Sequence, residues 1–112
     1  IGRNVGAVMM PDVAWQIFQG DVLDAMFSAD QVELSVREGR GSWRGQVEPS
    51  ATITMLSHER MSDEDFKTLV DRLQDIAKYH KQEAIALSVN VEALLIPPGT
   101  RCHPHHRADC GV

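Results

Sequence analysis

The chain has few cysteines, few aromatic residues and no long apolar run, and each shortage excludes a class of protein. Both cysteines, Cys102 and Cys110, lie in the last eleven of 112 residues, so the body of the chain is not a disulfide scaffold. No apolar run approaches the roughly 20 residues of a membrane-spanning helix, and no segment has the pattern of a signal peptide. These features favour a location in the reducing cytoplasm, without contact to a membrane.

The charge balance argues against nucleic-acid binding. The formal net charge is −5, and no basic patch interrupts the acidic composition. A length of 112 residues and a hydrophobic content of 43% are sufficient for a single hydrophobic core. The composition therefore predicts one globular domain. Its function can be binding, catalytic or structural.

Hydrophobic periodicity predicts an α+β fold. Alternation of apolar and polar residues indicates strands, and apolar residues at spacings of three and four indicate helices. Asp12 is expected to cap the first helix, and Ser62 the second. The predicted elements are a strand at 5–10, a helix at 13–27, strands at 31–37 and 47–57 joined by a glycine-rich connection at 38–46, a helix at 62–80 and a strand at 84–96.

The order β-α-β-β-α-β predicts a ferredoxin-like domain over residues 1–98, followed by a tail at 99–112. Right-handed crossovers would form a four-stranded antiparallel sheet with both helices on one face. The other face would carry small polar side chains and pack against a second copy, which predicts a homo-oligomer, a dimer or larger. The side chains expected on that face include Glu33, Ser35, Thr52, Thr54, Ser88 and Asn90.

The most distinctive local pattern joins the predicted hairpin to the end of the second helix. It reads Gly41-x-Trp43-x-Gly45-x-x-Glu48-x-Ser50, followed by Tyr79-x-x-Gln82-Glu83. With these motifs, the run from Trp15 to about Leu95 resembles a group of short bacterial and phage proteins, a domain of unknown function. The resemblance implies the ferredoxin-like layout and fits a phage or mobile-element origin, but it implies no activity.

The hairpin is the predicted ligand site, and it has two interpretations. Arg40 and Arg44 flank Trp43 among glycines, a set that can hold a small anion such as a nucleotide phosphate. Glu48, Ser50 and Gln82 would line the same polar pocket, with Trp43 as a stacking face. Alternatively, the three polar residues tie a turn to a helix end, and Trp43 covers the core. No bound cofactor is expected.

The tail concentrates soft and borderline metal ligands within nine residues. Zinc, nickel or copper can accept such a set, although the spacing matches no standard finger. A small disulfide loop between the two cysteines is the alternative. The candidate ligands are Cys102, His103, His105, His106 and Cys110.

Three classes of function therefore remain open. The leading one is a small, oligomeric, non-enzymatic module that binds a small anionic ligand or a protein partner. The second is a dimeric α/β-barrel-type enzyme, in which His58 or His80 acts as a general base with Glu48, Glu59 or Glu83. The third is a purely structural assembly protein. An RNA-recognition motif is rejected, because the two central strands carry no aromatic residue on which a base could stack.

Overall fold

The computed structural model describes residues 1–28 and 30–89 and confirms the α+β class. Its described part holds two helices and two antiparallel two-stranded sheets. The elements are β1 (Asn4–Val5), β2 (Val8–Met9), α1 (Asp12–Met26), β3 (Gln31–Trp43), β4 (Gln46–Ser57) and α2 (Asp63–Tyr79).

The β3–β4 hairpin is longer than the glycine content of the sequence predicts. The predicted connection at 38–46 is wrong, because pairing continues to Trp43 opposite Gln46. Only Arg44 and Gly45 form the turn, and both have positive φ angles, 49° and 79°. Two positive φ angles match a type I′ turn, whose twist suits a two-residue hairpin loop. The other glycines of this segment therefore lie within a strand, where they cause no break.

Both helices form where the periodicity predicts them. The Ser62 hydroxyl accepts a hydrogen bond from the Asp65 backbone N–H at 3.1 Å, which confirms the N-cap of α2. The expectation for α1 is wrong by one residue. Pro11 occupies the N-cap position without a side-chain bond, and Asp12 is the first helical residue. Asp12 instead pairs with Arg3 at 2.6 Å.

The core lies between the two helices and the inner face of β4. Phe18 is fully buried at its centre, and Trp15 meets it edge to face with the ring centroids 6.0 Å apart. Ala51 contributes the buried position of β4. Within residues 1–28 and 30–89, the buried apolar residues are Met10, Trp15, Phe18, Val22, Ala25, Ala51, Leu69 and Leu73.

The first predicted strand is replaced by a different arrangement. Instead of one strand at 5–10, β1 and β2 form a small hairpin, and the residues before it pair with β4. The Arg3 N–H donates to the Pro49 carbonyl at 2.9 Å, and the Ala51 N–H donates to the Ile1 carbonyl at 2.9 Å. The N-terminal segment thus adds a short antiparallel strand to the hairpin edge.

The last predicted strand, at 84–96, is not formed over its described part. Residues 84–89 belong to neither of the two sheets. Residues 90–96, the boundary at residue 98 and the whole tail lie outside the described residues. Within 1–28 and 30–89, no helix has the length and apolar content to span a bilayer.

Candidate functional site

The tip of the β3–β4 hairpin carries an aromatic residue and an ion pair. Glu83 Oε2 accepts a hydrogen bond from Trp43 Nε1 at 2.8 Å and lies 2.9 Å from Arg44 Nε. The Arg44 guanidinium carbon lies 5.8 Å from the centre of the Trp43 ring. One carboxylate thus holds two of the residues that the sequence pattern singles out.

This geometry can be compared with the two predicted roles of the hairpin tip, an anion site and a cover for the core. Trp43 is 47% exposed, so it does not cover the core. Arg40 and Trp43 are three residues apart on one strand and therefore face opposite sides of the sheet. The structure does not bring Arg40 to the ring. An anion that binds the remaining guanidinium N–H groups of Arg44 would lie close to the Glu83 carboxylate.

Glu48 and Gln82 meet at the backbone of Asn4. Glu48 Oε2 accepts a hydrogen bond from the Asn4 N–H at 2.9 Å. Gln82 Nε2 donates to the Asn4 carbonyl at 3.2 Å and to the His80 carbonyl at 3.4 Å. Both side chains satisfy backbone groups that would otherwise need water. In the described structure, these contacts correspond to the second interpretation, in which the polar side chains connect a turn to the end of a helix.

Gly2 and Ser50 form a further contact between the N-terminal segment and β4. Gly2 forms a backbone bridge opposite Ser50 on β4, which places Ser50 beside the N-terminal segment. A Cβ atom at Gly2 would meet the Glu48 carboxylate, which would have to move to accommodate it. The Ile1 amine donates to the Ala51 carbonyl at 2.8 Å. Burial lowers the pKa of this amine below 8.0, and the nearby Glu48 charge opposes part of the decrease.

The histidines differ from the expected pairing with glutamate. His80 Nε2 lies 2.7 Å from Asp21 Oδ2, and the imidazole stacks on Phe18 with ring centroids 4.7 Å apart. This pair joins the end of α2 to α1. His58 lines a cavity beside β4. Its ring forms no hydrogen bond or ion pair to another described residue. Within the described residues, neither histidine is paired with Glu48, Glu59 or Glu83.

A cavity beside β4 was not predicted from the sequence. It has a volume of about 910 Å³. Residues 52–57 of β4 and residues 85–89 line it, together with side chains of both helices. The apolar helical side chains at the cavity are Val22, Met26, Phe66, Leu69 and Leu73. Its volume lies within the range typical of ligand sites.

One boundary of this cavity is the edge of β4 that faces away from β3. Pro49 and Ala51 direct backbone groups across this edge to the N-terminal segment. Backbone groups alternate between the two edges of a strand, so Ile53 and Met55 direct theirs to the same side.

The sequence contains part of the information for this cavity, in the alternation of apolar residues along β4. The alternation through Ala51, Ile53 and Met55 correctly predicts an inward-facing row of apolar side chains. It cannot show which other elements enclose the cavity around this row. Phe66, in the first turn of α2, is 39% exposed beside the cavity.

The candidate metal ligands of the tail lie outside the described residues. Over 1–28 and 30–89, no group of three or more histidine, cysteine or acidic side chains is arranged to hold a metal ion. No family model, no curated protein and no solved structure matches the chain.

Proposed function

We propose that this protein is a non-enzymatic module that binds a polypeptide partner in the cavity beside β4. The observation that carries the proposal is the mainly apolar lining of this cavity, in which Phe66 and Leu87 remain more than one-third exposed. Apolar side chains gain about 25 cal/mol for each Å² that they bury. A polypeptide segment with apolar side chains supplies a contact surface of this kind.

The charged residues favour this function over capture of a small anion. Glu83 occupies Arg44, Asp12 occupies Arg3, and both pairs are formed within the chain. An anion at the hairpin tip would lie beside the negatively charged Glu83 carboxylate, which opposes its binding. The cavity beside β4 has a mainly apolar lining, so an apolar partner does not meet this repulsion.

The ferredoxin-like arrangement is part of the proposal. Residues 1–3 lie antiparallel to β4, the second strand of the hairpin, as the first strand of that fold does. Gln82 donates to the Asn4 carbonyl, which supports a position for the following segment close to the N-terminal strand. Both helices pack together, and α1 contacts β4.

Selection of peptides from a random display library tests the proposal. Peptides that bind are expected to shift the NMR signals of Phe66 and Leu87, which line the cavity. The Trp43 indole at the hairpin tip is expected to keep its position, because Glu83 already binds it. A library from which no peptide binds, or from which every peptide binds at Trp43, contradicts the proposed function.

A pair of matched variants separates the cavity from the opposite face of the sheet. Met55→Glu places a charge in the cavity, because Met55 shares the inner face of β4 with Ala51. Ser35→Glu places the same charge on the outer face of β3. We expect Met55→Glu to weaken binding of the selected peptides by about a hundredfold, which corresponds to about 2.7 kcal/mol. Ser35→Glu is expected to change it by less than twofold.

A further inference from the structure

We propose that two copies of this chain pair edge to edge through β3, in antiparallel orientation and centred on Ser35. The partner is a second copy of the chain, and the two hairpins would form one continuous sheet. This contact is independent of the proposed function, because the described residues that line the cavity include none of β3. It also differs from a contact through the outer face, in which two sheets would stack.

The outer edge of β3 follows from its pairing with β4. Ala51 directs its N–H to the Ile1 carbonyl, away from β3. Glu38 lies directly opposite Ala51. Residues opposite each other in an antiparallel pair direct their backbone groups either toward each other or away from each other. Glu38 therefore directs its groups away from β4, and so do Val36 and Leu34 at alternate positions.

The rest of the described chain lies on the other side of this hairpin. Residues 1–3 pair with the opposite edge of β4, so any residues before Ile1 would continue along β4. Residues 85–89 line the cavity beside β4. Within residues 1–28 and 30–89, β4 is the only sheet neighbour of β3. Both ends of the described chain thus lie at β4, which favours a second molecule as the partner of β3.

The charges of β3 are complementary to themselves about Ser35. In this register Glu33 of one copy lies opposite Arg37 of the other, and the two-fold symmetry repeats the pair. Neither side chain is part of an ion pair within the described chain. In the sequence of residues 90–112, no acidic residue lies four positions from an arginine or lysine, so that segment cannot supply both charges. A second copy supplies them by symmetry.

The same register pairs apolar side chains on the inner face of the sheet. Leu34 of one copy lies opposite Val36 of the other, and these two residues exchange the backbone hydrogen bonds of the new ladder. Val36 is 39% exposed, so the contact covers apolar surface. Registers centred on Arg37 or Glu38 would instead place like charges opposite each other. The charges and the apolar residues thus favour the same axis.

The composition of β3 also suits pairing with another strand. Natural proteins protect long edge strands with proline, lysine or bulges. This strand has 13 residues and contains neither proline nor lysine. Its one irregularity lies between Gln31 and Glu33, at the start of the strand. The part that would pair, from Glu33 to Arg37, is regular.

Cysteine cross-linking of the full chain tests this register. In a background with Cys102→Ser and Cys110→Ser, Ser35→Cys places the single cysteine on the two-fold axis. The two Cα atoms there would be about 4.5 Å apart, within the range of a disulfide. Thr54→Cys is the matched control, because Thr54 lies opposite Ser35 on the same face and is more exposed. Two Thr54 residues would be separated by three strand spacings, about 14 Å.

We expect the Ser35→Cys variant to form a disulfide-linked dimer at least about tenfold faster than the Thr54→Cys variant, because pairing raises the effective concentration of its thiols. Random collisions would favour the more exposed Thr54 position. Equal rates, or a faster reaction of the Thr54→Cys variant, would show that the copies do not pair through the edge of β3.

Charge reversal tests the complementarity without cysteine. Glu33→Arg places arginines opposite each other twice in each dimer, and we expect it to weaken dimer formation by about tenfold in analytical ultracentrifugation. The double variant with Glu33→Arg and Arg37→Glu restores opposite charges. It is expected to dimerise within about twofold of the parent. A double variant that dimerises as weakly as Glu33→Arg would show that this pairing is wrong.

Amide hydrogen exchange of Leu34 and Val36 distinguishes a second copy from other occupants of the edge. We expect their exchange to slow as protein concentration rises, because their hydrogen bonds form only in the dimer. Slow exchange in a monomer at all concentrations would show that another part of the chain occupies the edge, and the proposal would be wrong. A monomer with fast exchange at every concentration would also overturn it.

Discussion

Among single residues, the two tryptophans show how burial decides the role of a side chain. Trp15 is 4% exposed and contacts Phe18 in the core, whereas Trp43 is 47% exposed at the hairpin tip. The pattern around Trp43 allowed either a core or a surface role. The long hairpin decides it, because Trp43 lies at the far end of β3 and its indole nitrogen binds Glu83.

Replacement of each tryptophan by alanine is therefore expected to have unequal effects. Trp15→Ala removes a buried side chain and should lower the free energy of unfolding by about 3–5 kcal/mol. Trp43→Ala removes a half-exposed one and should lower it by about 1 kcal/mol or less. Urea denaturation of both variants measures the difference. Equal losses would contradict the burial that separates them.

Two glycines predict opposite effects of one substitution. A Cβ atom at Gly20, inside α1, would meet no atom within 4 Å beyond the backbone of its own helix, so alanine should stabilise the protein by up to about 1 kcal/mol. Gly45 has a φ of +79° in the turn, where alanine should destabilise it by about 1–2 kcal/mol. Thermal unfolding of the two variants measures both signs. A destabilising Gly20→Ala would indicate a packing role for this glycine.

At the scale of elements, local signals set the helices and tertiary contacts set the strands. The Ser62 cap and the apolar spacing of α2 are properties of consecutive residues, and they predict its bounds to within one residue. The extent of β3 depends instead on pairing with β4 across the turn at Arg44 and Gly45. That pairing carries Gly39 and Gly41 into a strand despite their weak strand propensity.

The cap of α2 gives a prediction at this scale. Ser62→Ala removes the acceptor of the Asp65 N–H and should cost about 1 kcal/mol of stability. Ser62→Asp keeps an acceptor at the same position and should retain most of it. Chemical denaturation followed by circular dichroism compares the two. Equal stability of Ser62→Ala and the parent would show that the cap contributes nothing.

At the scale of the whole molecule, the cavity beside β4 and the outer face of the sheet are two separate surfaces. The outer face carries Ser35, Thr52 and Thr54, as the alternation predicts. The expected homo-oligomer through this face stays a prediction. Native mass spectrometry at several protein concentrations counts the subunits. Only monomers at micromolar concentration would contradict oligomer formation, and a Ser35→Glu variant that stays oligomeric would place the contact elsewhere.

The sequence by itself determined both helices, the strand regions around 31–37 and 47–57 and the inward row of β4. These depend on spacing and capping between near neighbours, so a short window contains the information. It also placed Gln82 correctly as a tie to the backbone, as one of two interpretations.

Only the tertiary structure decided where the N-terminal segment pairs, which carboxylate holds Trp43 and Arg44, and where the cavity lies. Each of these joins residues about 40 or more apart in the chain, such as Trp43 with Glu83 and Asn4 with Glu48. Such contacts depend on how whole elements pack against one another, because the same local pattern is compatible with several partners.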